Sequence, residues 1–273
     1  MTTESAVVGT GLGIEAIRRK LSSETVGRQI YLFGGVSSTS GVLRGLAKAG
    51  AREGTVVLAE AQTEGRGRGG QPWFSPPGLN LYASVLFRPS IPLKAVPVFS
   101  FIASLALTEA IWGEGLRAAI KWPNDVLVER KKVAGSLVEC ASAGGQVEYV
   151  ILGVGVNLNV RREALRAALG DAAHAATSLR EVARREIDRN AFAATFLALL
   201  DRWCRVYATR GPEAVLAAWR DRDILTGRRV EIRGDGERYE GRALGVNRDG
   251  RLVIEDIRGM PHQVVAGEVR LLD

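Results

Sequence analysis

The sequence predicts an α+β fold, a large mixed domain followed by a small all-β module. Strand-like runs at residues 55–62 and 79–87 sit among stretches with helical apolar spacing, of which 91–112 is the longest. After Asp221-Arg222-Asp223 the pattern changes. Short apolar triplets, Val230-Glu231-Ile232 and Leu252-Val253-Ile254, then alternate with turn signals at Asp235-Gly236 and Asp249-Gly250. We therefore divide the 273 residues into 1–223 and 224–273. That length is ample for a buried core.

Residues 12–21 have helical spacing and end at Ser22-Ser23, before a strand at 28–33. Ser37-Ser38-Thr39-Ser40 precedes a helix at 42–49, closed by Gly50, and is expected to cap it with side-chain hydroxyls. The apolar run 96–112 is broken by Ser100, Ser104, Thr108 and Glu109 and is short for a bilayer, so it reads as a core helix and no membrane association is expected. Lys121-Trp122-Pro123-Asn124-Asp125 is a tight connection between strands at 118–120 and 126–128, with Pro123 fixing the turn and Asn124-Asp125 tolerating its backbone. Strands at 136–141 and 147–152 form a hairpin through 142–146. Phe192, Phe196, Leu200, Trp203 and Tyr207 form the core-facing stripe of a helix, and Gly211-Pro212 opens another through Trp219.

Composition narrows the functional classes. An apolar content of 46% and a charged content of 25% are those of a globular protein. Met1-Thr2-Thr3-Glu4-Ser5 lacks the basic and apolar regions of an export signal, and Cys140 and Cys204 are too few for a disulfide framework, so a cytoplasmic location is expected. His174 and His262 are the only histidines; neither is assigned a role, and no protein-held metal is expected. The net charge of +7 invites a nucleic-acid reading, and Arg161, Arg162, Arg166, Arg180, Arg184, Arg185 and Arg189 crowd one region. Glu163, Glu181, Glu186 and Asp188 are interleaved with them, which is the pattern of a solvated helical face. Sequence-specific DNA binding is therefore not expected, although excess charge can steer an acidic partner.

The most informative stretch is Gly65-Arg66-Gly67-Arg68-Gly69-Gly70-Gln71-Pro72-Trp73. It satisfies G-x-G-x-x-G, but a dinucleotide-binding loop must open a helix, and Gln71-Pro72-Trp73-Phe74-Ser75-Pro76-Pro77 does not. A P-loop fails because no lysine follows a glycine. Two readings remain on the residues alone: a flexible hairpin loop, or a backbone free to wrap a ligand while two guanidinium groups meet anionic oxygens.

Three further motifs follow it in order: Lys121-Trp122-Pro123-Asn124-Asp125, Lys132-Val133-Ala134-Gly135-Ser136-Leu137-Val138-Glu139 and Gly153-Val154-Gly155-Val156-Asn157-Leu158-Asn159. Together with the glycine-arginine loop, they resemble the biotin protein ligases over about residues 28–273. The resemblance implies a mixed-sheet, biotin/lipoate ligase-like domain and a C-terminal SH3-like barrel. It assigns biotin binding to Ser38, Thr39, Ser40, Gln62, Gly65, Arg66, Gly67, Arg68, Lys132, Gly135, Gly153 and Gly155. Nucleotide binding falls to Arg68, Trp73, Asn124, Lys132 and Asn157, and catalysis to Lys132, Arg68, Arg66 and Asp125. Ser40 stands where the family usually has Asn, and Lys132 is the essential lysine, with Lys131 a neighbour. Many members carry an N-terminal helix-turn-helix; the stretch before Arg28 is too short for three helices, so the monofunctional type is expected.

The implied reaction is ATP-dependent, with Mg2+ on the phosphates. The biotin carboxylate becomes biotinyl-5'-AMP, and a lysine of a biotin carboxyl carrier protein or domain then displaces AMP. Fixed cations offset the repulsion between carboxylate and triphosphate. The enzyme is expected as a monomer or homodimer. Its loop at 64–73 is expected to be ordered by ligand and biotin to bind before ATP, because four glycines make ordering costly. Two rival readings remain: a lipoate-type ligase, and a non-catalytic biotin-responsive regulator.

Overall fold

The structure, a computed structural model, describes residues 11–234 and 237–272. The expected turn at Asp235-Gly236 and the segment 1–5 lie outside the described residues.

A seven-stranded sheet forms the large domain. Its strands are β1 (Gln29–Phe33), β2 (Thr55–Ala59), β3 (Leu81–Phe87), β4 (Ala118–Lys121), β5 (Asp125–Val128), β6 (Lys131–Ala143) and β7 (Gln146–Val156), in the order β1-β2-β3-β7-β6-β5-β4. β1 and β2 are parallel and the other neighbours antiparallel, which makes the sheet mixed. After α1 (Ile14–Lys20), helix α2 (Thr39–Lys48) is the crossover between the parallel pair, and it buries Leu43 and Ala47 against Val57, Leu86, Tyr149 and Ile151 on one face. The other face carries the main core, in which α3 (Val98–Gly113) packs among β-strand residues and, beyond the short α4 (Arg162–Leu169) and α5 (Leu179–Ala183), α6 (Arg189–Arg210). Alternation divides β3 accordingly. Leu81, Ala83, Val85 and Phe87 enter the main core, while Ser84 and Leu86 face α2.

Residues Leu93–Gly113 are long and apolar enough to cross a membrane by length and composition, but α3 is buried in the core. Ser104 and Thr108 return their hydroxyls to the carbonyls of Ser100 and Ser104. The sequence expectation of a helix from residue 91 is corrected here. Residues Leu93–Ala95 form a separate 3-10 turn and the α-helix begins after Pro97, where the missing proline N–H deprives it of no internal bond. The central hairpin is longer than expected, because β6 and β7 continue to a two-residue turn at Gly144 and Gly145 with φ of +57° and +80°.

Five strands form the second sheet: β8 (Arg229–Gly234), β9 (Glu237–Val246), β10 (Leu252–Glu255), β11 (Pro261–Val264) and β12 (Glu268–Leu271). Their order is β11-β10-β9-β8-β12, antiparallel throughout, as an SH3-like module requires. Its core residues Val230, Ile232, Val246 and Ile254 belong to the same apolar cluster as α3. At the turn, Gly250 has φ +77° and an added Cβ would come within 2.6 Å of Phe101, while the Trp122 indole donates to its carbonyl at 3.0 Å. The second sheet is thereby fastened to the Lys121–Asp125 connection.

One buried ion pair sets the base of the glycine-arginine loop. The Arg189 guanidinium, 1% exposed, donates to Glu60 Oε2 at 2.6 Å, to the carbonyl of Gly78 at 3.0 Å and to that of Asn80 at 3.1 Å. It ties α6 to the end of β2 and to the segment that enters β3. Arg189→Ala leaves a carboxylate and two carbonyls without this donor, and we expect urea unfolding to record a loss of about 3 kcal/mol or more.

Candidate functional site

Glycines create the space. On the α2 face of the sheet, Tyr149 and Ile151 are followed by Gly153 and Gly155 at the next two alternate positions of β7, and Gly135 of β6 lies opposite Gly155. Large side chains end there, and a cleft of about 740 Å³ opens. Its walls are the start of α2, the glycine-arginine loop, the 121–125 connection and residues 266–269 of the second sheet.

The loop closes as a small hairpin. Arg66 bridges to Pro72, Gly67 N donates to Gln71 O at 2.7 Å, and Trp73 N donates to Gly65 O at 2.8 Å. Trp73 then lays its indole on Gly155, where an added Cβ would stand 2.4 Å from Cε2. Both glycines of β7 are approached closely by side chains from other elements. In this structure Gly155 admits Trp73, and Gly153 admits Ser40, whose Oγ lies 2.8 Å from an ideal Cβ. Trp73 Nε1 is buried and has no acceptor among the described residues. Such a donor is costly unless a ligand supplies the partner.

One end of the cleft is cationic. Lys132 Nζ lies 2.6 Å from Asp125 Oδ1 and 5.5 Å from the centroid of the Trp73 ring. The antiparallel β5–β6 register places Asp125 against Gly135, and the lysine folds back over that glycine, with Cε 3.2 Å from its ideal Cβ position. The two loop arginines, equivalent in sequence, are not equivalent here. Arg66 is exposed, whereas Arg68 is half-buried and its guanidinium forms no hydrogen bond or ion pair among the described residues. Burial pulls the Arg68 guanidinium below its ordinary pKa, and the nearby Asp125 charge opposes that shift. A partly desolvated cation without a bonded partner favours an anionic ligand.

The other end is a set of hydroxyls. Thr39 N and Oγ1 both donate to Gln62 Oε1, at 2.9 and 3.1 Å, and Thr39 Oγ1 and Ser40 Oγ each lie within 3.0 Å of Ser84 Oγ. Gln62 Nε2 donates to Ser75 Oγ, which donates to the Trp73 carbonyl. Capping is therefore not what these hydroxyls do: Ser38 is the N-cap of α2 but makes no side-chain capping bond.

Of the expected site residues, Ser38, Thr39, Ser40, Gln62, Arg66, Gly67, Arg68, Trp73, Asn124, Asp125, Lys132, Gly135, Gly153 and Gly155 all line this cleft. Gly65 and Asn157 do not. Gly65 packs under the loop, where an added Cβ would meet Ser75 Oγ at 2.6 Å, and Asn157 donates to the carbonyl of Thr177, holding the segment that pairs with Lys132. Asn124 lines the cleft but its amide is committed to the Ser136 carbonyl at 2.6 Å. Sequence reasoning missed Ser75, Ser84, the Arg44–Glu139 pair at 2.6 Å and the wall at 266–269. Only Ser84 left a signal, a lone serine inside the apolar run Leu81–Phe87. The crowded arginines are partly neutralised, since Arg180, Arg185 and Arg189 pair with Glu186, Glu114 and Glu60. Among the described residues no group of three or more His, Cys, Asp or Glu could hold a metal.

Residues 33–157 match the biotin/lipoate A/B protein ligase family, and residues 225–272 match the biotin protein ligase C-terminal domain. The chain is 33% identical to the bifunctional ligase/repressor BirA of Bacillus subtilis (strain 168) over 245 residues, 89% of this chain and 74% of that protein. It is 32% identical to the biotin--[acetyl-CoA-carboxylase] ligase of Mycobacterium tuberculosis over 264 residues, 92% of this chain and 94% of that protein. Among solved structures, the Aquifex aeolicus biotin protein ligase in complex with biotin and ATP is similar, with a TM-score of 0.74 and 25% identity, covering 89% of this chain and 98% of that chain.

Trp73 is the wedge that this geometry predicts to hold the loop down. Gly155→Ala should dislodge it, so that limited trypsin digestion cuts after Arg66 and Arg68 several times faster than in the wild type. Equal cleavage rates would refute the wedge.

Proposed function

The chain belongs to the biotin/lipoate A/B protein ligase family, and we propose that it activates biotin with ATP as biotinyl-5'-AMP and transfers biotin to a lysine of a biotin carboxyl carrier protein or domain. One observation carries the reading: a single cleft joins a hydroxyl-lined end to an end bearing Lys132 and the half-buried Arg68 guanidinium. Biotin has matching ends, a polar ring and a carboxylate.

A carboxylate is a poor electrophile, and its oxide a poor leaving group. Attack of one carboxylate oxygen on the α-phosphorus of ATP forms a C–O–P link and expels pyrophosphate, giving an acyl group whose leaving group is AMP. The amine of the acceptor lysine then attacks the acyl carbon, loses a proton and displaces AMP, leaving an amide. Repulsion between the carboxylate and the phosphates is the main obstacle in the first step, and fixed cations counter it without reorganisation. Lys132 supplies one such charge, anchored by Asp125 at 2.6 Å. Arg68 supplies a second, drawn to anions by its desolvation. Mg2+ enters with ATP as part of the substrate. The exposed Arg66 suits recruitment of an anion more than its final positioning.

The C-terminal match favours the biotin branch over a lipoate ligase. The free Cys140 and Cys204 support a cytoplasmic setting.

Lys132→Ala should fold normally and lose at least about a hundredfold in biotin-dependent pyrophosphate release, the usual scale for removing one preorganised electrostatic group. Near-normal turnover in a folded variant would overturn the assignment of Lys132.

A further inference from the structure

The hydroxyls at the polar end of the cleft have a direction, and it can be worked out bond by bond. The Thr39 backbone N–H can only donate, so its 2.9 Å contact identifies the Gln62 atom it meets as Oε1. Gln62 Nε2 then faces Ser75 Oγ, which is free to accept because its own proton goes to the Trp73 carbonyl at 2.9 Å. An amide oxygen cannot donate, so the 3.1 Å contact between Thr39 Oγ1 and Gln62 Oε1 uses the Thr39 hydroxyl proton. Thr39 Oγ1 is left with lone pairs, and the 2.8 Å contact to Ser84 Oγ therefore uses the Ser84 proton. Ser84 in turn has only lone pairs for Ser40, whose proton is consumed in the 3.0 Å contact. At the end of the relay, Ser40 Oγ has no hydrogen left to donate into the cleft.

We propose that Ser84, which lies outside the cleft, is a positioning residue that fixes Ser40 as a hydrogen-bond acceptor and so makes the site select a substrate ring with an N–H donor at that point. Ser84 is fully buried in a strand whose other residues are also buried, a place where a hydroxyl is costly unless bonded on both sides. It faces Gly153 across the β3–β7 ladder, so no side chain intervenes between the relay and the cleft. This inference rests on the proposed function: in biotin the N–H groups belong to the ureido ring, and the carboxylate is left for Lys132. A relay of this kind also explains why a serine serves at position 40. A short hydroxyl has no built-in direction, and Ser84 supplies one.

The test uses the two cyclic carbamates in which one ureido N–H of biotin is replaced by a ring oxygen, a nearly isosteric change from donor to acceptor. Biotin-dependent or analogue-dependent pyrophosphate release gives kcat/KM for each. The wild type should disfavour one of the two carbamates by on the order of a hundredfold, because two acceptors then face each other. In Ser84→Ala the Ser40 proton is released and can turn to the ring oxygen, so the gap should narrow at least about tenfold. Ser84→Thr keeps the hydroxyl and should keep the gap. Thr39→Val, which removes the acceptor of the Ser84 proton, should narrow it as Ser84→Ala does, and decides the matter if Ser84→Ala does not fold. A merely structural role for Ser84 would lower both substrates together. An unchanged gap in folded Ser84→Ala or Thr39→Val, or a wild type that accepts both carbamates as well as biotin, would overturn the inference. A wild type that releases no pyrophosphate with biotin would overturn the functional reading, and this inference with it.

Discussion

Side-chain alternation along a strand normally fills both faces of a sheet, and here it is interrupted on one face at three neighbouring positions. Gly135, Gly153 and Gly155 remove the volume that Tyr149, Ile151 and Leu43 fill farther along the same face. A close-packed protein does not tolerate such a void without a filler. Trp73 provides part of the filling by stacking on Gly155, and Ser40 approaches Gly153. Whatever else occupies the cleft takes the rest. Both the site and the conformation of the loop that roofs it follow from this one deficit of side chains.

The deficit also determines the electrostatics. A lysine with no large neighbour can fold over Gly135 and reach Asp125, and the indole that seals the floor becomes its aromatic neighbour. Asp125 is thus shared between a bonded ammonium and, at longer range, the Arg68 guanidinium. Among these three groups, positive charge exceeds negative. An anionic ligand restores the balance in surroundings where a charge is felt more strongly than in bulk water.

How much of this was legible in the sequence depends on the range over which each residue acts. The glycine-arginine loop and the 121–125 connection were readable, because turn chemistry is local and their residue types leave few conformations. The helix start was misplaced because its apolar period runs on through Pro92 and Pro97, and a period alone carries no information about a missing N–H. Arg66 and Arg68 could not be told apart; one is exposed and the other half-buried because of the hairpin that joins Arg66 to Pro72. Ser75, Ser84 and residues 266–269 act through register or through contacts between distant segments. The serine inside β3 was a visible irregularity, but only the β3–β7 register and the position of α2 give it partners.

The second sheet is bound into the same logic. An isolated five-stranded module could be attached anywhere on the large domain, yet its turn at Gly250 receives the indole N–H of Trp122, whose neighbours Pro123, Asn124 and Asp125 line the cleft. Gly250 itself can have no Cβ, because Phe101 of α3 occupies that position. The module also contributes Ala266, Gly267, Glu268 and Val269 to the cleft wall, with Gly267 pressed against Ile232 and the Arg233 carbonyl. A rotation of the second sheet would therefore move one wall of the cleft and strain the connection that carries Asp125. Since Asp125 anchors Lys132, the orientation of this small module is set by the same packing that positions the cations, and the two sheets wall one cleft together.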